Sequence, residues 1–267
     1  MKRLLVALAC ALAAFGAHAD QPLWELGLGA TALRLPHYRG SDQTHDLLLP
    51  LPYAVYRGKI FRATREGARA VLLDAERFDF DVSVSASAPT RSADNTARAG
   101  MPDLAATVEV GPNLNLRLAQ GASWKLDLRL PVHTVYAVQS RPQQLGWTAR
   151  PAINLDLRWQ GWNIGAQAGP VWASQRNNAY FYDVDAASAT AARPAYQARA
   201  GNAGWRATAG LSRRLGSLWL GAFVRTDSVA GAVFETSPLV RKRQQTGFGL
   251  ALSWVFAVSD ERVAVDD

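Results

Sequence analysis

The feature that most constrains this chain is the stretch from Leu104 to Leu118, where polar and apolar residues alternate. Leu104, Ala106, Val108, Val110, Pro112, Leu114, Leu116 and Leu118 are apolar, while Asp103, Thr107, Glu109, Asn113, Asn115 and Arg117 are polar. A side-chain period of two belongs to a β-strand, not a helix. A strand this long exceeds the ~5–6 residues usual in a soluble sheet, so its apolar face needs a cover along its whole length. Either a second sheet or lipid must supply it.

The same alternation recurs along the chain. Trp24, Leu26, Leu28, Ala30 and Ala32 oppose Glu25, Gly27, Gly29 and Thr31, and Phe78, Phe80, Val82, Val84 and Ala86 oppose Asp79, Asp81, Ser83, Ser85 and Ser87. Further strands are read from Trp124 to Val132, Trp147 to Trp159, Trp162 to Trp172, Trp205 to Arg214, Leu218 to Arg225 and Thr246 to Phe256. Asp46 to Arg57 contains Pro50 and Pro52, which lack the donor a central ladder needs, so an irregular or locally unpaired strand is expected there. Two shorter strands fall near Lys59 to Thr64 and Gly67 to Leu73.

Turn lengths sort by side. Gly121, Gln160-Gly161 and Leu215-Gly216 sit in tight turns, whereas Asn95, Gln143, Asp183 and Lys242 lie in longer polar loops. Outer-membrane barrels have short periplasmic turns and long external loops, and an even strand number. The expected fold is therefore all-β, a closed antiparallel transmembrane β-barrel over residues 20–256. Parity gives about twelve strands, or ten if the region from Gly58 to Leu73 folds as a plug or periplasmic hairpin.

Trp24, Trp124, Trp147, Trp159, Trp162, Trp172 and Trp254 stand at the ends of the apolar faces and suit the two girdles where hydrocarbon meets headgroups. Ordinary core tryptophan is the alternative reading of any one of them. A charge facing the lipid midplane costs roughly 2–4 kcal/mol, so the charged face must look inward. The expected lumen charges are Asp79, Asp81, Glu109, Arg117, Asp127, Arg129, His133, Arg150, Asp156, Arg158, Arg206 and Arg214. Their arginine excess would suit a narrow, porin-like, anion-preferring channel, whereas pairing across the interior would block it. Twelve strands enclose less room than the roughly 16–18 of open porins, which favours a narrow or occluded lumen.

Two loop motifs stand out. Tyr180, Phe181 and Tyr182 are candidates for a cap over the mouth, and Arg241, Lys242 and Arg243 for contact with lipopolysaccharide phosphates or simply for a solvated face. The histidines beyond residue 19 are His37, His45 and His133, and no serine stands beside His133 in a recognisable pattern, so no enzyme is expected. No metal set, cofactor motif or phosphate-binding glycine loop is present.

The N-terminus sets the address. Lys2 and Arg3 precede the apolar run Leu4 to Phe15, and Ala17-His18-Ala19 supplies the small residues of a cleavage site. Residues 1–19 read as a signal peptide, the apolar run being shorter than the ~20 residues of a spanning helix. Its loss would remove Lys2 and Arg3, taking the formal net charge from +7 to +5, and Cys10, the sole cysteine. The mature chain would then have no disulfide and no thiol nucleophile. A basic chain raises nucleic acid as a partner, but no such motif is present, and an exported protein meets the phosphates of lipopolysaccharide instead. Phe248, Leu250, Leu252, Trp254 and Phe256 form an alternating series ending on an aromatic, a pattern read by barrel assembly machinery, and residues 257–267 read as a disordered periplasmic tail.

The chain resembles the MltA-interacting protein (MipA)/OmpV family of outer-membrane proteins. The resemblance covers nearly all of the mature chain and rests on Leu33-Arg34-Leu35-Pro36-His37-Tyr38-Arg39-Gly40-Ser41-Asp42, Leu49-Pro50-Leu51-Pro52-Tyr53, Gly100-Met101-Pro102-Asp103-Leu104, Tyr180-Phe181-Tyr182-Asp183-Val184-Asp185, Arg193-Pro194-Ala195-Tyr196, and Gly231-Ala232-Val233-Phe234 with Ser237-Pro238-Leu239-Val240. It implies a barrel in the outer membrane of a Gram-negative bacterium. It also implies a scaffold linking a murein lytic transglycosylase to a peptidoglycan synthase, with adhesion or solute entry as other roles in the family. The family supplies no catalytic residues to carry over.

Overall fold

The computed structural model describes residues 20–64, 67–75 and 77–264. Its strands close into an antiparallel ring of 12. In chain order they are β1 (Trp24–Pro36), β2 (Thr44–Arg57), β3 (Phe61–Thr64), β4 (Gly67–Ala75), β5 (Phe78–Ser87), β6 (Thr107–Gly121) and β7 (Trp124–Ala137). Then follow β8 in two segments (Gln143–Ala149 and Ala152–Trp159), β9 (Trp162–Ala173), β10 (Gly201–Leu215), β11 (Leu218–Ser228) and β12 (Gln244–Val258). The break in β8 falls at Arg150-Pro151, where proline has no N–H for the ladder, and both segments still pair with β7 and β9. Closure runs between β12 and β1, from Phe248 opposite Arg34 to Val258 opposite Glu25. The ten-strand alternative falls, because β3 and β4 are wall strands paired into the sheet.

Among the described residues no helix is long and apolar enough to cross a membrane, and the strands make the crossing. Their outward positions are apolar and exposed, as at Leu28, Leu48, Ile153, Leu250 and Leu252. Trp24, Trp124, Trp159, Trp162 and Trp254 end this face on the side of the short turns, and Trp147, Trp172 and Trp205 on the side of the loops. Trp162 and Trp172 lie on one strand, so the two rows are about 33 Å apart along it, or about 25 Å after the usual tilt. That matches the hydrocarbon band. Trp219 points the other way and is buried inside.

Turn chemistry follows demand. At the β8–β9 hairpin Gln160 and Gly161 both have positive φ, at 48° and 79°, the handedness that matches a two-residue link to the strand twist.

Three expectations need correction. β6 begins at Thr107, since Leu104 is drawn into the core of the external loops and bridges Thr90. Gln143 opens β8 and is not a loop residue. The segment after Phe256 is not wholly a disordered tail: β12 runs to Val258, and Arg262–Val263 pairs with Gln21–Pro22, each end satisfying the other's backbone groups. Residues 1–19, where a signal peptide is expected, and residues 265–267 lie outside the described residues.

A second core sits on the loop side. The β1–β2, β5–β6, β9–β10 and β11–β12 loops contribute Tyr38, Leu104, Tyr182, Val184, Val229, Phe234 and Leu239 to one buried cluster. The β5–β6 and β11–β12 loops spring from opposite sides of a twelve-strand ring, so a core they share crosses the mouth. Short helix α1 (Gln175–Tyr182) carries part of it, capped by Ser174, whose hydroxyl accepts from the Asn177 N–H. Tyr182 stacks on Phe234 with ring centroids 3.6 Å apart.

Candidate functional site

The barrel interior collects the chain's charges, and strand register explains which meet. Ser83 on β5 lies opposite Gly111 on β6, and a Cβ at Gly111 would run into the Val132 carbonyl and the Cα of His133 on β7. With no side chain at Gly111, the His133 ring reaches across β6 to put Nε2 3.0 Å from Ser83 Oγ. Glu109 Oε2 lies 3.7 Å from His133 Nδ1. Serine, histidine and carboxylate in a row invite comparison with a nucleophilic triad.

The hydrogen-bond network argues against that use. Arg150, which pairs closely with Glu109, places Nη2 3.1 Å from His133 Nδ1. A guanidinium only donates, so Nδ1 accepts and the ring proton is assigned to Nε2, where it is donated to Ser83. A base needs a free lone pair facing its nucleophile, and here that position carries hydrogen. The 3.7 Å separation to Glu109 is also too long for the orienting hydrogen bond.

Under the cap lies a second cluster. Asp227 faces three guanidiniums: Arg206 Nε at 2.8 Å, Arg39 Nε at 2.9 Å and Arg225 Nε at 3.4 Å. Arg39 comes from the β1–β2 loop, and its Nε makes no hydrogen bond despite that proximity. Burial pulls the Arg39 guanidinium below its ordinary pKa, opposed by Asp227. Tyr182 donates its hydroxyl to the Arg39 carbonyl at 2.8 Å, and burial pushes its pKa up. Asp227 offers one negative charge against three positive ones. Glu109, the next carboxylate, is engaged by Arg150.

The other expected lumen residues fall into local groups. Arg117 pairs with Asp127 at 2.9 Å and Arg129 with Asp156 at 3.2 Å. Asp81, fully buried, accepts from Asn113 and Asn115 at 3.1 and 3.0 Å, while Asn115 also donates to Asp79. Arg69 approaches Asp81 at 3.6 Å. Arg214 binds Glu25 near the short-turn end, together with Arg57 and the Tyr53 hydroxyl. Arg158 shares that inward row on β8 with Asp156.

Of the loop motifs, Tyr182 is buried in the cap and Tyr180 and Phe181 pack against it. Arg241, Lys242 and Arg243 stay exposed, with the Arg241 and Lys242 N–H groups held by the Gly40 carbonyl and Arg243 paired to Glu235 at 2.5 Å. Sequence reasoning overlooked Ser83, Arg39, Arg225 and Asp227. The available signals were a glycine interrupting the polar row of β6 and the Arg225–Asp227 step on β11.

A family model described as MltA-interacting protein MipA matches residues 28–256. The chain belongs to the MipA family. No curated protein matches it in sequence. Solved outer-membrane barrels resemble it at low identity. An active-site mutant of outer membrane phospholipase A from Escherichia coli is 14% identical, with a TM-score of 0.37 over 92% of this chain and 96% of that one. The β domain of the Bordetella autotransporter BrkA is 11% identical, with a TM-score of 0.43 over 88% of this chain and 100% of that one. A monoaromatic hydrocarbon channel, CymD, is 10% identical, with a TM-score of 0.39 and 90% of each chain covered. Family membership and the closed twelve-strand wall make this chain an outer-membrane β-barrel protein of a Gram-negative bacterium.

Proposed function

We propose that this MipA-family barrel is a non-enzymatic membrane anchor that presents its periplasmic face to murein-handling enzymes. The observation that carries this reading is the apolar core shared by loops from opposite sides of the ring, which lies across the external mouth. A barrel stoppered in this way is poorly suited to bulk solute flow, and its paired charges add to the obstruction. Support for the partner comes from the family description, MltA-interacting protein, which points to a murein transglycosylase. Joining that enzyme to a peptidoglycan synthase extends the same reading. Support for the absence of catalysis comes from the Arg150 contact that occupies His133 Nδ1. The paired termini, Gln21–Pro22 with Arg262–Val263, give the periplasmic end an ordered feature for a partner to meet.

Two measurements test the reading. Purified barrel in a planar bilayer should give no steady conductance steps, and the immobilised barrel should retain a soluble murein transglycosylase from envelope extract. Steady steps that vanish in Arg206→Gln, with no enzyme retained, would favour an anion channel instead. Adhesion through the exposed Arg241-Lys242-Arg243 run is a separate reading, tested by binding of intact cells to lipopolysaccharide-coated surfaces.

A further inference from the structure

The wall of the barrel is not uniform. β2 pairs with β1 along its whole length, from Trp24 opposite Tyr56 to Pro36 opposite Thr44. On its other edge it pairs with β3 only at Tyr56 and Arg57. From Thr44 to Val55 that edge has no strand partner among the described residues, because β3 spans only 4 residues, Phe61–Thr64. Two prolines sit in this stretch while the register with β1 continues through both, which places their missing donors at the unpaired edge. Prolines there reduce the N–H groups left facing hydrocarbon and discourage another strand from pairing.

Above the gap, the β5–β6 loop is clamped onto the β1–β2 loop. Thr90 Oγ1 donates to the His37 carbonyl at 2.7 Å, and the Thr96 N–H donates to Gln43 at 2.7 Å. The backbone ladder of the wall is thus interrupted beside β2, between the clamped loops above and the short β3–β4 hairpin below.

β2 is also apolar on both faces. Leu48, Pro50 and Pro52 face outward, and Leu47, Leu49, Leu51 and Tyr53 face inward, opposite the inward residues of β1. Leu49 keeps 42% of its surface exposed although it points inside. Leu33 on β1 and Phe223 on β11 continue this apolar wall round to Arg225, one inward step above Phe223. There the three arginines share the single carboxylate of Asp227.

We propose that the interrupted wall beside β2 opens to admit a single-chain anionic amphiphile from the bilayer, of the fatty-acid class. Its hydrocarbon tail lies along the inward leucines of β2 and its carboxylate meets the Arg206 and Arg225 guanidiniums. A row one strand wide, about 4.8 Å, holds one chain and not the two of a phospholipid. Moving that chain from bilayer to apolar wall is nearly neutral, since lipid tails are as apolar as leucine. The tail therefore selects the route, and the charge-assisted hydrogen bonds supply the affinity. This inference stands apart from the scaffold reading, and either can fail alone.

The full chain in phosphatidylcholine liposomes is photolabelled with a palmitate bearing a diazirine on its tail, and adducts are mapped by mass spectrometry. Adducts at Leu47, Leu49 or Leu51, competed by palmitate and not by hexadecanol, are expected. Arg225→Gln should weaken the competition roughly tenfold or more, the value of one charge-assisted hydrogen bond. Leu49→Trp should suppress the interior adducts. Heat-modifiable gel mobility reports whether each variant is folded, and the wild-type adduct map needs no variant at all. Labelling confined to outward residues such as Leu48 and Leu250, in the pattern given by diazirine phosphatidylcholine, would overturn the proposal. So would equal competition by the alcohol.

Discussion

His37 shows how much one side chain holds at the loop side. Its Nδ1 lies 3.0 Å from Asn95 Nδ2, a donor, so the contact requires that nitrogen to be unprotonated. Burial chiefly, and then His45, lowers its pKa from 6.5, while Asp94 and Asp42 act the other way. A histidine with a depressed folded pKa binds fewer protons than the unfolded chain, so it favours the folded loops above about pH 6.5 and less as pH falls through that value. Hydrogen exchange over residues 88–106 should therefore quicken on acidification from pH 7.5 to 5.5, and a His37→Gln variant should lose most of that dependence. Ser83 provides a second check at this scale. With Nε2–H donating to it, Ser83 should not react with a fluorophosphonate probe, and wild type and Ser83→Ala should be equally unlabelled. Labelling of the wild type alone would reopen the catalytic reading.

The loop core forms a buried cluster of its own at the loop end of the wall. Phe234 is fully buried and stacked on Tyr182, and burial also lifts the Tyr38 hydroxyl to about 12. Truncating such a ring costs roughly 3–5 kcal/mol. Phe234→Ala should leave the barrel heat-modifiable on a gel while making residues 174–200 and 229–243 sensitive to external protease. Loss of heat-modifiability would mean that the loops and wall fold as one unit. Strand and turn positions were largely legible beforehand, because period two and the glycine turns are local properties. The departures at Leu104 and Gln143 were not, since a residue at a strand end is claimed by whichever core it can reach. Leu104 reaches the loop core, and Gln143 pairs with Ala137.

At the scale of the whole molecule, the barrel sorts its tryptophans by face. Trp254 is 57% exposed on the outside, whereas Trp219 is 7% exposed and packs against Tyr53 at 5.8 Å within the interior. Single-tryptophan variants, keeping Trp254 alone or Trp219 alone, should differ in lipids with brominated acyl chains: strong quenching for Trp254, little for Trp219. Equal quenching would remove the assignment of inside and outside on which the membrane placement of both faces depends. The candidate site belongs to this scale too. Ser83 and His133 are fifty residues apart and meet only because an empty position on β6 separates them, and Arg39 reaches Asp227 from a loop at the other end of the chain.

Alternation, turn chemistry and parity are carried by neighbouring residues, so the sequence alone determined a closed membrane barrel with an apolar outside and a charged inside. Which charges meet, that Arg150 fills the face of His133 a carboxylate would need, that loops from opposite sides share a core, and that β2 keeps a bare edge all depend on strands distant in the chain. Closing the ring decided them, because only closure sets register, and register brings one strand's side chains within hydrogen-bonding reach of another's.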